Sequence, residues 1–225
     1  MAFDFVPASS QRFYKTSPSS TVRDNLTAMG WVFLDSNNQD ATFFANAGYN
    51  GGSSTGWSAH MGGSGVHTTG SRLILDLPGV AWFDTGYASL AANSWFHLTL
   101  QRSTGTWQYY VNAVAQGSTT TATPNALTAG TAVLSIGAEI QSDGVSWWKH
   151  LDGKMAEVKY WESVLSLAQI ELEMRNHKFP TVNLSTLKFY NALDRESAVS
   201  PVDFSQSGNS MSNNGSPAPS QHRPF

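Results

Sequence analysis

Ser94-Trp95-Phe96-His97-Leu98-Thr99-Leu100, followed by Thr106-Trp107-Gln108-Tyr109-Tyr110-Val111-Asn112, carries the clearest information on the fold class. It contains two runs in which every second residue is large and apolar, as in strands that bury one face. Residues 103–106 join the two runs, and such a short connection is typical of a hairpin. The pattern therefore predicts two antiparallel strands.

Turn residues recur every 8 to 15 positions on both sides of this hairpin, with short apolar or alternating runs between them. These runs predict further strands at 30–34, 42–45, 56–61, 72–77, 132–137 and 154–161. Many short strands separated by turns are typical of a sandwich. The sequence therefore predicts an all-β fold, a two-sheet antiparallel jelly-roll sandwich.

One short helix is predicted near residues 167–177. Ser166 and Gln169 have the spacing of a capping box, and Leu167, Ile170 and Met174 form a narrow apolar stripe. Basic residues follow in the last turn, where they favour the negative end of the helix dipole, and a proline at position 180 prevents extension. We expect this helix to pack on the sandwich.

The composition limits the classes of function. Thirteen basic and 16 acidic residues give a formal net charge of -3, so no basic field is available to hold a nucleic acid. The absence of cysteine excludes disulfides, zinc-thiolate sites and thiol nucleophiles. The first residues lack the pattern of a signal peptide, and no apolar run approaches the ~18 residues of a membrane span. We expect a soluble domain that binds neither nucleic acid nor membrane.

Residues 1–180 are expected to form the sandwich, and residues 181–225 a C-terminal extension. Leu187, Phe189 and Leu193 have strand spacing, which predicts one edge strand in this extension. Ser, Asn, Gly and Pro dominate after Val202, and composition alone predicts disorder from position 212 to the end. Strand addition would attach the extension either to its own sandwich or to a partner molecule.

The 94–112 hairpin resembles the Trp-x-His, hairpin, Tyr-Val-Asn-Gly pattern of the laminin-G-like and pentraxin-like branch of the concanavalin A-like sandwiches. Positions 134–137, 151–161 and the helix start at Leu165-Ser166 follow in the family's order. Asn112-Ala113 stands where the family usually has Asn-Gly, and Met155-Ala156-Glu157 where it often has Ile-Asp-Glu. The resemblance implies a concanavalin A-like sandwich, a fold used by lectins, adhesion modules, virion components and hydrolases.

The end of the chain resembles the part of such a domain that commonly comes first. Leu187-Lys188-Phe189-Tyr190 and the segment from Val202 to Asn209 are similar to the family's opening strand and Asp-x-Ser-Gly-Asn turn. Here they come last in the sequence. The resemblance implies that this strand adds to a sheet edge beside the N-terminal residues or reaches a neighbouring molecule.

No catalytic residues are predicted. Hydrolytic members of the superfamily commonly carry Glu-x-Asp-x-x-Glu on one strand, because two carboxylates must face each other across the sugar. This string is missing, and the nearest pair, Glu171 and Glu173, lies two residues apart on the predicted helix and so on different faces. Carboxylates from separate strands remain an alternative, which keeps a glycoside hydrolase as the third hypothesis for function.

Calcium is the one cofactor that the sequence suggests, because Ca²⁺ takes oxygen ligands from loop carboxylates, amides and carbonyls. Glu139, Asp143 and Asp152 are predicted to converge if the chain between them closes into a hairpin. The alternative is that these acids only solvate a loop. His60 and His67, at the Gly-rich stretch 62–70, are a second metal candidate, with a flexible strand connection as the alternative.

Eight Trp and seven Tyr residues offer candidate binding platforms. Most of them fall on predicted strands, where packing in the core or at its rim is the simpler interpretation. Tyr49, Trp57, Trp147 and Trp148 lie in or beside predicted loops. An exposed ring at any of these four positions would stack on a sugar or bury itself in a protein partner.

Three functions from different classes are consistent with the sequence. The first is a non-catalytic structural or adhesion module on a virion surface, such as a phage capsid decoration or tail protein, with glycan binding. Its partners would be capsid or tail proteins and further copies of itself. The second is a free carbohydrate-binding lectin, with or without calcium, and the third is the hydrolase.

Overall fold

The computed structural model describes residues 2–18, 24–50, 53–62, 69–127, 130–141, 143–176, 179–192 and 202–220. Two large antiparallel sheets pack face to face, and one α-helix lies on the outside of the first sheet. The predicted all-β sandwich with one short helix is confirmed. No helix in the described ranges is long and apolar enough to cross a membrane.

The strands are numbered here in chain order. They are β1 Ala2–Phe5, β2 Arg12–Thr16, β3 Leu26–Leu34, β4 Ala41–Asn50, β5 Ser53–Gly62, β6 Arg72–Leu77, β7 Ala81–Asp84, β8 Trp95–Ser103, β9 Thr106–Val111, β10 Val114–Thr120, β11 Ala132–Ile136, β12 Glu139–Ile140, β13 Trp147–Trp148, β14 Gly153–Trp161, β15 Leu187–Asn191, β16 Ser212–Asn214 and β17 Ala218–Ser220.

The first sheet has the order β10-β9-β8-β3-β14-β1-β17, with β15 also paired to β14. The second sheet has the order β16-β2-β11-β4-β5-β6-β7, and β12 and β13 form a separate two-stranded ribbon. All of the described pairings are antiparallel. Residues that alternate along the strands of both sheets form one apolar core between them.

The 94–112 hairpin forms as predicted, with Leu98 opposite Val111 and Leu100 opposite Tyr109. The next turn, from β9 to β10, uses Asn112 and Ala113 at φ angles of 51° and 62°. An alanine pays a steric cost in this region that glycine does not. Its side chain is buried in a small apolar cluster beside Met29 and Trp161, which offsets part of that cost.

The helix α1 spans Leu167–Arg175, within the range predicted from the sequence. The capping box is present, since the Gln169 N–H donates to Ser166 Oγ at 3.3 Å and the Ser166 N–H donates to Gln169 Oε1 at 2.9 Å. Ile170 is fully buried and packs with Leu165 against the outer face of the first sheet. Local sequence is sufficient to begin this helix, and tertiary packing holds it.

The C-terminal segment packs on its own sandwich at three places. Strand β15 pairs with β14, β16 extends the second sheet at β2, and β17 extends the first sheet at β1. Disorder from position 212 was expected from composition, but residues 212–214 and 218–220 form strands. Backbone hydrogen bonds to a sheet edge do not require apolar side chains, which is why composition misleads here. Residues 221–225 and Leu193 lie outside the described ranges.

Asp203 organises the turn that follows β15. Its Oδ1 accepts the N–H groups of Tyr190 and Ser205 at 3.1 and 2.8 Å, and its Oδ2 accepts that of Asn209 at 2.9 Å. The Asn209 amide in turn donates to the Lys188 carbonyl at 2.7 Å. One carboxylate thereby fixes the turn against the strand, and the polar segment 203–209 is ordered without a core of its own.

Candidate functional site

The candidate site is the outer face of the second sheet. Strand pairing places one residue of each strand in a row across this face: Ser212, Tyr14, Ser135, Ala45, Ser58, Asp76 and Trp82. Their chain neighbours Phe13, Trp57 and Leu75 belong to the core. Because side chains alternate along a strand, the row points away from the core.

A hairpin formed by β12 and β13 is joined to this face. Glu139 pairs with Trp148 and Ile140 with Trp147. Beyond the hairpin, the Thr42 N–H of β4 donates to the Lys149 carbonyl at 2.8 Å. At the tip, Asp143 Oδ1 accepts the N–H groups of Val145 and Ser146, at 2.9 and 2.7 Å. The tip thus projects into solvent, and the Val145 side chain is 77% exposed.

A buried charged cluster fastens the hairpin to the sheet. Lys149 Nζ donates to Asp76 Oδ2 at 2.8 Å and to Glu139 Oε2 at 3.0 Å. Ser58 Oγ donates to the same Glu139 oxygen at 2.8 Å. All four residues are buried, so two carboxylates share one ammonium in a region that water does not reach.

This shared lysine leaves one carboxylate in excess. Burial raises the pKa of Glu139 to about 7, with the charge of Lys149 opposing the shift and that of Asp76 adding to it. Burial also raises the pKa of the nearby Asp40 to about 6. The two carboxylates raise the pKa of Lys149 in spite of its own burial, so the lysine stays charged. The cluster therefore holds one full ion pair and one carboxyl group that titrates near neutrality.

His60, Asp76 and Glu139 are the described residues that come nearest to a metal site. One ligand atom from each lies within 4.8 Å of the others, and all three are buried. The Lys149 ammonium, however, already bonds to both carboxylates. A metal ion would have to displace that ammonium, so the donor set fits a structural ion cluster better than a metal centre.

The structure does not bring together the three acids predicted as calcium ligands. Glu139 faces the sheet and bonds to Lys149 and Ser58. Asp143 lies at the exposed hairpin tip, where the side-chain hydrogen bond of Ser146, and then the N–H groups of Val145 and Ser146, lower its pKa. Asp152 lies past the hairpin, where burial and the charge of Asp35 raise its pKa. The hairpin closes as expected, but it separates these side chains instead of joining them.

The four predicted aromatic platforms have different environments. Trp57 is fully buried in the core, with ring centroids 6.2 Å from Trp107 and 6.0 Å from Tyr160, so its prediction as a surface platform is wrong. Tyr49 lies near the end of β4, and its side chain falls outside the described residues. Trp147 and Trp148 are both half-buried on the hairpin. Lys149 Nζ lies 4.5 Å from the centre of the Trp148 ring, which places Trp148 beside the ion cluster.

Trp147 faces the edge of the second sheet, where it meets two residues of β2. Its ring centroid is 5.2 Å from that of Tyr14. The Arg12 guanidinium carbon lies 4.3 Å from the Trp147 centroid and 5.6 Å from the Tyr14 centroid. All three side chains are half-buried. We call Arg12, Tyr14 and Trp147 the aromatic–arginine surface.

Sequence reasoning missed Arg12 and Tyr14. In the run Arg12-Phe13-Tyr14 only Phe13 points inward, and this alternation predicts that both neighbours share the outer face. It also missed Asp76 and Lys149, whose contact joins positions 73 residues apart. No local pattern indicates such a pair, because its two members belong to different elements.

A second concavity lies away from this face. It is a groove of about 300 Å³ lined by Phe179, Pro180, Leu184, Leu187, Phe204, Ser205 and Gln206. The lining carries no charged side chain, whereas ionisable and aromatic side chains meet on the outer face of the second sheet. The outer face is therefore the stronger candidate for polar recognition.

Residues 9–171 match the family model described as the concanavalin A-like lectin/glucanases superfamily. The chain belongs to this superfamily. The match covers strands β2 to β14 and the start of the helix, in agreement with the resemblance seen in the 94–112 hairpin. No curated protein matches the chain at the level of sequence.

Solved structures share the superfamily fold at low sequence identity. A candidate carbohydrate-binding protein from Bacteroides ovatus aligns with a TM-score of 0.62 and 17% identity, over 95% of this chain and 57% of that one. The enzymatically active domain of tailspike protein 2 from bacteriophage CBA120 aligns with a TM-score of 0.54 and 14% identity, over 86% of this chain and 32% of that one. Domains LG4-5 of the mouse laminin α1 chain align with a TM-score of 0.50 and 13% identity, over 74% of this chain and 43% of that one. This chain spans little more than half of the first protein, and the likenesses show the fold alone.

Proposed function

We propose that the protein is a non-catalytic carbohydrate-binding module, and that it binds glycans on the outer face of the second sheet. The observation that carries this proposal is the aromatic–arginine surface. Trp147 and Tyr14 offer half-buried rings with centroids 5.2 Å apart, and the buried cluster around Lys149 holds the hairpin that presents Trp147. Rigid, partly exposed rings are suited to packing against the apolar face of a sugar.

The superfamily membership supports a glycan ligand, since its description joins lectins and glucanases. The acids on the candidate face support binding without hydrolysis. Asp76 and Glu139 approach each other, but both are buried and share Lys149. Glycoside hydrolysis needs one carboxyl group on each side of an accessible glycosidic bond. A pair neutralised beneath a hairpin does not have that geometry.

Replacing Trp147 by alanine is expected to weaken glycan binding by about 2 kcal/mol, or about thirtyfold, because central aromatic anchors commonly contribute this much. The measurement is binding to an immobilised glycan panel followed by calorimetry on the best ligand. Trp95→Ala is the matched control, since Trp95 is also half-buried and packs on one ring, Phe33, but lies on the other sheet. Equal affinity of Trp147→Ala and the wild type would contradict the proposed surface.

A particle-surface role is the finer form of this proposal. A tailspike shares the fold, and a glycan-binding sandwich on a phage tail or capsid would attach the particle to a glycan-coated surface. In that role the partners would be capsid or tail proteins and further copies of the chain. Mass spectrometry of purified particles should then find the protein in stoichiometric amount. Recovery only as a free monomer would favour the alternative of a free lectin.

A further inference from the structure

Arg12 has no acidic partner among the described residues, whereas Arg72 and Arg102 each have one. Arg72 pairs with Asp84 at 2.8 Å, and Arg102 pairs with Asp24 at 2.9 Å. No carboxylate of the described chain lies within ion-pair distance of the Arg12 guanidinium. Burial lowers the pKa of Arg12 from its usual value, but an arginine stays charged at neutral pH. Arg12 therefore carries a positive charge with no carboxylate in its immediate surroundings.

The surrounding contacts hold this guanidinium in place. Arg12 Nη1 donates to the Ser10 carbonyl at 2.9 Å, and the same carbonyl accepts the Asn214 amide at 3.1 Å. Trp147 and Tyr14 lie within cation–π distance of the group. Strand β16 pairs Asn214 with Arg12, so the C-terminal segment supports the position. A fixed arginine loses little entropy when it binds a ligand.

The guanidinium of Arg12 keeps unused hydrogen-bonding capacity. Its Nε is buried and has no acceptor in the described part of the chain. Buried donors without acceptors are rare and costly. The unpaired charge of the half-buried Arg12 side chain favours an anionic ligand.

We propose that the aromatic–arginine surface is a subsite for an acidic sugar residue, whose carboxylate binds Arg12 while its ring packs against Trp147 and Tyr14. The inference rests on the proposed glycan-binding function and adds the charge class of the ligand. Arginine suits this role because its planar donors match the two oxygens of a carboxylate. A neutral sugar would make the ring contacts and leave the charge unmatched.

The test compares glycans that differ only in the acid group: galacturonate oligomers with their methyl esters, and sialylated oligosaccharides with their asialo forms. The wild type should bind the acidic member of at least one pair about tenfold more tightly, because charge-assisted hydrogen bonds are the stronger ones. Arg12→Gln should abolish this preference. Arg72→Gln is the control, since Arg72 lies on the same sheet and already has Asp84 as its partner.

The ratio of acidic to neutral affinity is the quantity that decides. Arg12→Gln would also weaken the binding of both glycans if it loosened the hairpin. Arg12→Lys is therefore measured as well, because it keeps the charge but loses the planar donors. This variant should retain only part of the preference for the acidic glycan. Equal binding of both members of every pair, or an unchanged ratio in both Arg12 variants, would overturn the inference and leave the proposed function intact. If the wild type binds no glycan of the panel, the proposed function itself is wrong.

Discussion

Replacing Lys149 by methionine is expected to lower the free energy of unfolding by about 3–5 kcal/mol at pH 8, because breaking a buried ion pair leaves an uncompensated charge. Lys149 bonds to Asp76 and Glu139, and its side chain is 1% exposed. Without the ammonium, both carboxylates would remain buried with no positive partner. Urea titration monitored by tryptophan fluorescence measures the loss from the midpoint and the slope.

The size of this loss should depend on pH. Carboxylates left without a partner in the folded protein take up protons at higher pH than in the unfolded chain, so the deficit should be smaller at pH 5 than at pH 8. Lys154→Met is the matched control, because Lys154 pairs with Asp35 at the surface and should cost about 0–1 kcal/mol. If Lys149→Met and Lys154→Met lost the same free energy of unfolding at pH 8, the buried cluster would not contribute the proposed stability.

The free energy of unfolding of the wild type should show a pH dependence that Glu139 causes. Its pKa rises from 4.5 in the unfolded chain to about 7 in the folded protein, so the folded state favours the protonated form. This contribution to stability is complete below pH 4.5 and is lost as the pH rises to about 7. The variant Glu139→Gln, which stays neutral, should lack this decline. An identical pH profile in both proteins would show that Glu139 ionises normally.

Replacing Lys159 by methionine is expected to cost a similar amount, about 3–5 kcal/mol. Its ammonium donates to Glu173 Oε2 at 2.8 Å and to the carbonyls of Glu173 and Asn176 at 2.9 and 3.2 Å. Both members of the pair are at most 1% exposed. The substitution would therefore separate the end of α1 from the first sheet and leave Glu173 buried without its counter-charge.

The effect of Lys159→Met should extend to the segment that follows the helix. Glu173 Oε1 also accepts N–H groups of Thr181 and Val182, so this carboxylate fixes the chain beyond α1. Hydrogen exchange should show faster exchange at both N–H groups in the variant. Lys188→Met, which removes a partly exposed pair with Glu162, is the control and should leave them protected. A loss of stability below 1 kcal/mol would show that burial of this pair contributes little.

The features that the sequence predicted well are local. The hairpin at 94–112 follows from alternation and a short connection, and the helix follows from a capping box and a proline stop. Each depends on residues a few positions apart, so the physical cause lies within the segment itself. The superfamily resemblance extended this information to the strands and the helix that follow the hairpin along the chain.

The features that sequence reasoning missed depend on contacts between distant segments. Trp57 was predicted to lie in or beside a loop, but β5 begins at Ser53, and pairing with β4 and β6 turns the ring into the core. Glu139 was predicted to join Asp143 and Asp152 on one loop, but the sheet offers it Ser58 and Lys149 instead. In both cases the partner that decides the environment comes from another strand.

The sequence by itself determined the all-β class, the central hairpin and the capped helix, because alternation and capping act along the chain. Tertiary structure alone decided which aromatic rings are buried, which acids meet and where the polar C-terminal segment docks. Strand register sets these outcomes, since it brings Asp76 to Lys149 across 73 positions and Gln11 to Gly215 across 204. Burial and the nearest counter-charge then set the pKa of each buried group. Both depend on residues from distant segments, which no local sequence pattern predicts.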